Sequence, residues 1–269
     1  MRGRRRHDGD PLQEVRSRRP PAGATRLGKD LPVQTFERPA RFDFRSGLPD
    51  ASLFPHGIWR RLTASQLRPE VVAGGVYGHP AGHPDLREAI ARHIGISRGV
   101  VASADDITVT NGTQQALDIL ARVLLAPGDR LAVEDPGYTP RRWLFQSLGL
   151  RVTGTPVDGE GMVVDALPPR TRVVYTTPTH QYPLGMSMTL PRRTALLEWP
   201  EWHDAAIIED DYDSEFRFRG KPIEPLRSLD NRGRVIYVGL FSRRCSLRCE
   251  SVSSWPRLPC ERPFTGRSS

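Results

Sequence analysis

A cluster of carboxylates with one tyrosine follows an apolar run in the second half of the sequence. Residues 205–208 read Ala-Ala-Ile-Ile, and residues 209–213 read Glu-Asp-Asp-Tyr-Asp. The continuous apolar run predicts the end of a buried strand in a parallel sheet, and open α/β sheets bind ligands beyond the carboxyl ends of their strands. Carboxylates there could serve a metal ion, a sugar or a protonated ring nitrogen. An acidic loop leading into the next element is the alternative without chemistry.

A second stretch could hold an anion. Residues 107–110 predict a short strand, residues 111–113 read Asn-Gly-Thr and predict a tight turn, and residues 114–125 predict a helix with one apolar face. Free backbone N–H groups and the helix dipole both favour negative charge at such a turn. The pattern therefore predicts a phosphate site, although many α/β turns of this kind bind nothing.

One tyrosine is placed to contact a flat ligand. Residues 130–134 predict a strand, Asp-Pro-Gly at 135–137 ends it, and Tyr138 follows directly. A tyrosine at the carboxyl end of a strand is available to stack on an aromatic ring. A surface aromatic that covers the loop is the other interpretation.

The elements that must position these residues alternate along the chain. Further strands are predicted at 151–156 and 173–177, and helices at 86–94 and 192–199, the last of them ended by Pro200. Alternation of strands and helices from about residue 85 to 242 predicts an α/β fold, with a mostly parallel sheet and helices on both faces.

Composition excludes several classes of protein. The 269 residues are 38% hydrophobic and 26% charged, with no apolar run near the ~20 residues of a membrane span. The basic N-terminus has no apolar segment behind it, so we expect no secretory signal and a cytoplasmic location. The net charge of +8 is concentrated at the two ends of the chain, which does not indicate one basic face for nucleic acid.

The two ends of the chain differ from its middle. Residues 1–40 are rich in Arg, Pro and Gly and predict a disordered leader or linker; an arm that contacts DNA is the alternative. The three cysteines, Cys245, Cys249 and Cys260, all lie near the C-terminus. Their spacing is a poor zinc pattern, so we expect no metal site.

Four motifs resemble the aminotransferase-like domain of MocR-type regulators, a family that joins a fold-type I pyridoxal-phosphate aminotransferase domain to a GntR-type winged helix. They are Asp-Phe-Arg-x-Gly-x-Pro-Asp at 43–50, Tyr-Gly-x-Pro-Ala-Gly-His at 77–83, His-Gln-Tyr-Pro-x-Gly at 180–185 and Glu-Asp-Asp-Tyr-Asp-Ser-Glu-Phe-Arg at 209–217. The resemblance covers residues 41–242. It implies the large domain of a fold-type I transferase, which we expect to be incomplete here.

The resemblance implies roles in binding pyridoxal 5'-phosphate. Asp210 would pair with the pyridine nitrogen and keep it protonated, so that the ring acts as an electron sink. Tyr212 would hydrogen-bond the phenolic oxygen, and Tyr138 would stack on the ring. The residues implied to hold the phosphate are Gly112, Thr113 and Gln114.

Three further residues come from the same resemblance. His180 and Gln181 occupy the region where plain aminotransferases place an asparagine. Tyr77 would reach the phosphate of the cofactor in the neighbouring subunit, which implies a homodimer.

The resemblance fails at one decisive position. In the family, the Schiff-base lysine directly follows a Gly-Thr-Phe-Ser segment, whereas here Gly-Leu-Phe-Ser at 239–242 is followed by Arg243. Arginine stays protonated and cannot form that covalent bond. The chain has two lysines, Lys29 and Lys221, and Lys221 lies in a loop that makes it a poor substitute. We therefore expect no catalytic residue of this kind.

Residues 243–269 are predicted to be an out-of-frame tail. The family continues with an apolar strand and a small domain that carries an arginine for a substrate carboxylate, and residues 244–255 show neither. Deleting one base from a codon string for Arg-Val-Phe-Pro-Ala-Leu-Arg-Ile-Gly-Phe-Leu-Val yields the sequence at 244–255. A frameshift would also explain the three late cysteines.

The sequence therefore predicts a truncated MocR-like protein, built to bind pyridoxal phosphate but unable to hold it covalently. An amino acid or amine would be its effector. Three alternatives remain open: an active class I/II aminotransferase acting on an amino acid, a regulator that contacts DNA through the basic leader or a missing N-terminal domain, and a non-functional product that does not fold stably.

Overall fold

The computed structural model describes residues 54–67, 78–213, 224–241 and 251–254. All of them belong to one unit of the chain, Arg45–Ser269. The leader, the motif at 43–50, Tyr77, Lys221 and Arg243 lie outside the described residues.

One sheet contains the eight strands of the described chain. They are β1 (Ile107–Val109), β2 (Arg130–Asp135), β3 (Arg151–Asp158), β4 (Gly161–Met162), β5 (Thr171–Thr176), β6 (Ala206–Asp211), β7 (Val235–Leu240) and β8 (Ser251–Ser254). Their spatial order is β1-β8-β7-β6-β5-β2-β3-β4. Five consecutive strands, from β7 to β3, run parallel, β4 is antiparallel to β3, and β8 is antiparallel to both β7 and β1.

Helices cover both faces of the sheet, as the sequence predicts. They are α1 (His56–Gln66), α2 (Pro84–Arg98), α3 (Gly112–Leu124), α4 (Thr139–Ser147), α5 (Leu190–His203) and α6 (Leu226–Leu229), with short 3-10 helices at Ala104–Asp106 and Val164–Ala166. None of these described helices has the length and apolarity needed to cross a membrane.

Strand alternation divides the core into two faces. On the first face, Tyr175, Ile208 and Val238 pack with buried residues of α3 and α4, such as Leu117 and Phe145. On the second face, one core cluster joins β5, β6 and β7 to α5 and α6, and another joins β1 and β7 to α2. Successive residues of β6 therefore face opposite layers of helices.

The acidic cluster belongs to a strand and not to a loop. We predicted that the strand would end at Ile208, but β6 continues to Asp211. Its ladder with β7 pairs Glu209 with Tyr237, Asp210 with Val238 and Asp211 with Gly239. All three carboxylates are buried, because side chains of neighbouring elements provide hydrogen bonds and charge. The acidic-loop interpretation is therefore wrong.

Two other elements differ from the sequence-based predictions. Helix α5 does not end at Pro200 but continues to His203. Proline removes one N–H donor from the helix, yet the carbonyl of Pro200 still accepts from Asp204 N–H, where the chain turns left-handed with φ 47°. In the tail, where we expected no strand, β8 fills the position between β7 and β1. A strand pairs through its backbone, so this position does not require an apolar sequence.

Candidate functional site

The candidate residues converge on one edge of the sheet. The residues after the carboxyl ends of β1, β2 and β5 are Thr110, Pro136 and Thr177, and β6 ends at Asp211. These strands run in the same direction, since β1 is antiparallel to β8 and β8 to β7. The turn at 111–113, Tyr138 and the acidic cluster therefore lie along one edge, which is where such sheets bind ligands.

Asp210 is the most buried acid at this edge that faces α3 and α4. The Tyr175 hydroxyl donates a hydrogen bond of 2.7 Å to Asp210 Oδ2, and a guanidinium nitrogen of Arg141 lies 2.6 Å from the same oxygen. The other oxygen, Oδ1, is buried and accepts no hydrogen bond from the described residues. The carboxylate thus has one saturated oxygen and one acceptor still open.

Burial and charge act on Asp210 in opposite directions. Burial raises the pKa of this carboxyl, and the adjacent Arg141 cation and the hydrogen bond from Tyr175 oppose that rise. Burial also raises the pKa of Tyr175 well above its usual value, so the hydroxyl remains a donor at neutral pH. Arg141 is the charge that offsets the cost of burying an anion in this position.

Arg141 also contacts the tyrosine that was predicted to stack on a ligand. Its guanidinium carbon lies 4.6 Å from the centre of the Tyr138 ring and 5.3 Å from that of Tyr175. Tyr138 is 39% exposed and meets Tyr182 edge to face, with ring centres 5.2 Å apart. A cleft at this point is lined by Tyr138, Arg141, Tyr175, Thr177 and Tyr182, among others.

The predicted anion turn has the expected geometry. Helix α3 begins at Gly112, whose φ of 83° is in the left-handed region that favours glycine. No side chain of its N-cap residue, Asn111, caps the helix, and a Cβ at Gly112 would meet nothing within 4 Å. The first-turn N–H groups of α3, including those of Thr113 and Gln114, form an anion site in principle. Because α3 packs on the same face as Asp210, one ligand could reach both.

His180 and Gln181 have different surroundings. The ring of His180 is exposed and lies edge to face with Tyr212 at 5.8 Å. The Gln181 amide is buried and turned into the protein: Nε2 contacts Glu134 Oε2 at 3.2 Å, the carbonyl of Pro136 and the carbonyl of Tyr182. The structure thus brings His180 and Tyr212 together and uses Gln181 to hold the turn after β2.

Glu134 was not identified from the sequence as a site residue. Its buried carboxylate accepts hydrogen bonds from the hydroxyls of Thr176 and Thr177 and from Thr177 N–H. Burial raises its pKa, and the hydrogen bonds from Thr176 and Thr177 oppose the rise. This carboxylate fixes the segment after β5 against the end of β2 and so shapes the cleft.

Arg141 and Tyr175 were also missed. Arginine is among the most common residues of this chain and is normally exposed, so no feature of the sequence distinguishes Arg141. Tyr175 occupies an ordinary position in an apolar strand, and its contact with Asp210 depends on the order of β5 and β6. Among the described residues, no group of three His, Cys, Asp or Glu side chains could hold a metal ion.

The residues of this edge fit pyridoxal 5'-phosphate. The open Oδ1 of Asp210 matches a ring N–H, the start of α3 matches a phosphate, and Tyr138 offers an aromatic surface between them. Oδ1 of Asp211 also lacks a partner among the described residues, but it faces α2. The shared face with α3 and Tyr138, and not the open oxygen alone, distinguishes Asp210.

Comparison with known proteins agrees with this fit. The family model for aminotransferase class I and II matches residues 72–248. The chain is 41% identical over 247 residues to the probable rhizopine catabolism regulatory protein MocR of Rhizobium meliloti, covering 88% of this chain and 50% of that protein. The chain thus spans about half the length of this curated relative.

Solved structures give the same result. An archaeal alanine:glyoxylate aminotransferase superposes with a TM-score of 0.70 at 35% identity, covering 77% of this chain and 54% of that one. LysN, the α-aminoadipate aminotransferase of Thermus thermophilus, has a TM-score of 0.71 at 30% identity, covering 79% and 56%, and was solved with N-(5'-phosphopyridoxyl)-L-leucine. The predicted fold-type I architecture is confirmed. The chain belongs to the aminotransferase class I and II family and is an aminotransferase-like domain homologous to MocR-type regulators.

Proposed function

We propose that this chain binds pyridoxal 5'-phosphate without a covalent bond and senses an amino acid or amine for a MocR-type transcriptional regulator. One observation carries the proposal: the open Oδ1 of buried Asp210 lies on the same face of the sheet as the start of α3. A flat ring with a nitrogen at one end and a phosphate at the other matches these two features.

Each residue of the edge has a role in this proposal. Asp210 accepts the ring N–H, Tyr138 stacks on the ring, and the phosphate is held by the first turn of α3 at Gly112, Thr113 and Gln114. Tyr212, with His180 beside it, binds the phenolic oxygen. Gln181 contributes through its contacts with Glu134 and Pro136, which keep the segment after β5 in position.

The absence of lysine at position 243 defines how the cofactor is held. When bound, pyridoxal phosphate supplies an aldehyde that reacts with amines and an electron-poor ring. Arg243 keeps its proton and offers no nucleophilic amine, so retention depends on Asp210, Tyr138 and the phosphate contacts. This dependence makes uptake reversible and sensitive to each of these residues.

A titration of the purified chain with pyridoxal 5'-phosphate, followed by absorbance and calorimetry, tests the proposal. We expect saturable uptake that dialysis reverses, and at least a tenfold loss of affinity in Asp210→Ala, because a charged hydrogen-bond acceptor is removed. Asp118→Ala is the control, since Asp118 pairs with Arg122 on the surface of α3. No uptake by the unaltered chain, or equal affinity in Asp210→Ala, would overturn the proposal.

The regulatory part of the proposal concerns partners. The relative from Rhizobium meliloti is described as a regulatory protein, which supports action on DNA through a GntR-type domain of the whole protein, as a homodimer in which Tyr77 reaches the neighbouring cofactor. A regulator of transcription works in the cytoplasm of a bacterium. A gel-shift titration at several salt concentrations tests whether residues 1–40 bind DNA, because phosphate contacts give a steep salt dependence.

An active aminotransferase is the second candidate. The similarity to the alanine:glyoxylate and α-aminoadipate enzymes supports it, whereas Arg243 at the lysine position opposes it. A transamination assay with amino acids and 2-oxo acids separates the two functions. We expect uptake of the cofactor without turnover, and measurable turnover by the unaltered chain would favour the enzyme.

A further inference from the structure

Asp210 and Asp211 are the centres of two matching clusters on opposite faces of β6. Asp210 contacts Arg141 and Tyr175. Asp211 accepts 3.0 Å from Arg98 Nε and 2.6 Å from the Tyr237 hydroxyl. Each cluster is a buried carboxylate with one arginine and one tyrosine donor, and in each both donors bind Oδ2. Only the first cluster borders the cleft and the face of α3.

The geometry around Asp210 determines which oxygen remains available. Arg141 and Tyr175 approach the same oxygen, Oδ2, from α4 and β5. Two donors on one oxygen fix the plane of the carboxylate, and the second oxygen is left as the acceptor for a ligand. If Arg141 were absent, the carboxylate would keep only the Tyr175 bond and could rotate about χ2.

Arg141 also connects this carboxylate to the aromatic cover of the site. Its guanidinium lies over the Tyr138 ring at 4.6 Å, a distance at which a cation is attracted to a ring face. A guanidinium on one face of the ring leaves the opposite face for a flat ligand. One buried side chain therefore orients both the acid at the ring nitrogen and the surface that stacks on the ring.

Few charged groups act on Asp210. Arg141 of α4, Tyr175 of β5 and Asp211, its neighbour in β6, are the groups that influence it electrostatically. The two charged residues of α3, Asp118 and Arg122, pair with each other. Arg141 is thus the cation that keeps the carboxylate ionised against the effect of burial.

We propose that Arg141 is a positioning residue of the cofactor site: it holds Oδ2 of Asp210 and one face of Tyr138, and thereby presents Oδ1 to the ring nitrogen. This inference rests on the proposed binding of pyridoxal phosphate. It assigns a role to a residue that reaches the cofactor only through Asp210 and Tyr138.

The matching cluster supplies the control for the experiment. Arg141→Gln and Arg98→Gln each remove a buried arginine from a carboxylate of β6, so both are expected to lower the melting temperature. Affinity for pyridoxal 5'-phosphate is measured by calorimetry at several pH values between about 6 and 9. We expect at least a tenfold loss of affinity in Arg141→Gln, because a charge-assisted contact is lost, and less than about a threefold change in Arg98→Gln.

The pH profile distinguishes positioning from general damage. Without Arg141, nothing of comparable charge opposes the effect of burial on Asp210, so its pKa rises further and the carboxyl takes up a proton at higher pH. A protonated Asp210 no longer attracts a ring N–H, so affinity is lost on the acid side at a higher pH than in the unaltered chain. A purely structural defect would lower affinity equally at every pH.

The outcomes separate this inference from the proposed function. Equal losses in Arg141→Gln and Arg98→Gln, or a loss that does not depend on pH, would overturn the role of Arg141 while uptake by the unaltered chain stands. If the unaltered chain takes up no cofactor, the proposed function itself fails. If Arg141→Gln does not fold, Tyr175→Phe and Tyr237→Phe decide: the inference requires at least a threefold greater loss of affinity in the first, and equal effects contradict it.

Discussion

The side-chain amide of Gln181 donates to the carboxylate of Glu134 across 3.2 Å, although the two residues are 47 positions apart in the chain. This bond, together with those from Thr176 and Thr177 to Glu134, ties the segment after β5 to the end of β2. The cleft beside Tyr138 lies between these two segments. A buried acid without catalytic chemistry therefore determines the shape of the site.

The first prediction concerns Glu134. Replacing it with Gln puts an NH2 group opposite a hydroxyl or amide donor, so at least one buried donor loses its acceptor. We expect a loss of about 1–3 kcal/mol in the free energy of unfolding, measured by urea denaturation, and weaker uptake of pyridoxal phosphate. Glu160→Gln, on the surface, is the control. Equal stability of the two variants would show that the Glu134 network contributes nothing.

A second prediction concerns the glycine before Tyr138. A Cβ at Gly137 would overlap the backbone carbonyl of Glu134, which no side-chain movement can relieve. Gly137→Ala should cost about 1–3 kcal/mol of stability by overpacking and displace Tyr138 from Arg141. Gly159→Ala is the matched control, because its Cβ would meet nothing within 4 Å. A thermal melt that places both variants together would contradict the predicted clash.

The sequence predicted most of this edge because each piece is a local pattern. Alternating strands and helices gave the parallel sheet, and Gly112 and Tyr138 follow their strands as predicted. Glu134, Arg141 and Tyr175 could not be found in this way, since their roles depend on which strands are neighbours and on the register of β5 and β6. The burial of Asp210 and Asp211 in a strand was equally hidden, because a run of acids normally indicates an exposed loop.

A third prediction concerns pH and Glu209. Burial, followed by the nearby charge of Asp211, raises the pKa of this carboxyl to about 7, although backbone N–H groups of Arg227 and Leu226 oppose the rise. The unfolded chain has a pKa of about 4.3 at this residue. The folded state therefore binds the proton more tightly, and the stability that Glu209 contributes is present below about pH 4 and lost as the pH rises through 7.

Comparison with Glu209→Gln measures this contribution. Glutamine remains neutral, so the stability of the variant relative to the unaltered chain should rise between about pH 4 and pH 7 and become constant above that range. The total change is of the order of 3 kcal/mol. Urea denaturation at a series of pH values provides the measurement. A difference between the two proteins that does not vary with pH would contradict the raised pKa.

The last prediction concerns Arg243, which follows Gly-Leu-Phe-Ser at the position where the family carries its lysine. If the pocket is otherwise intact, Arg243→Lys restores an amine that can attack the cofactor aldehyde. After borohydride reduction and denaturation, we expect this variant to retain the cofactor as a gain in mass, whereas the unaltered chain and the control Arg244→Lys release it. Peptide mapping should find the modification at position 243. Retention by the unaltered chain, through Lys29 or Lys221, would contradict non-covalent binding, because it would mean that another amine of this chain reaches the pocket.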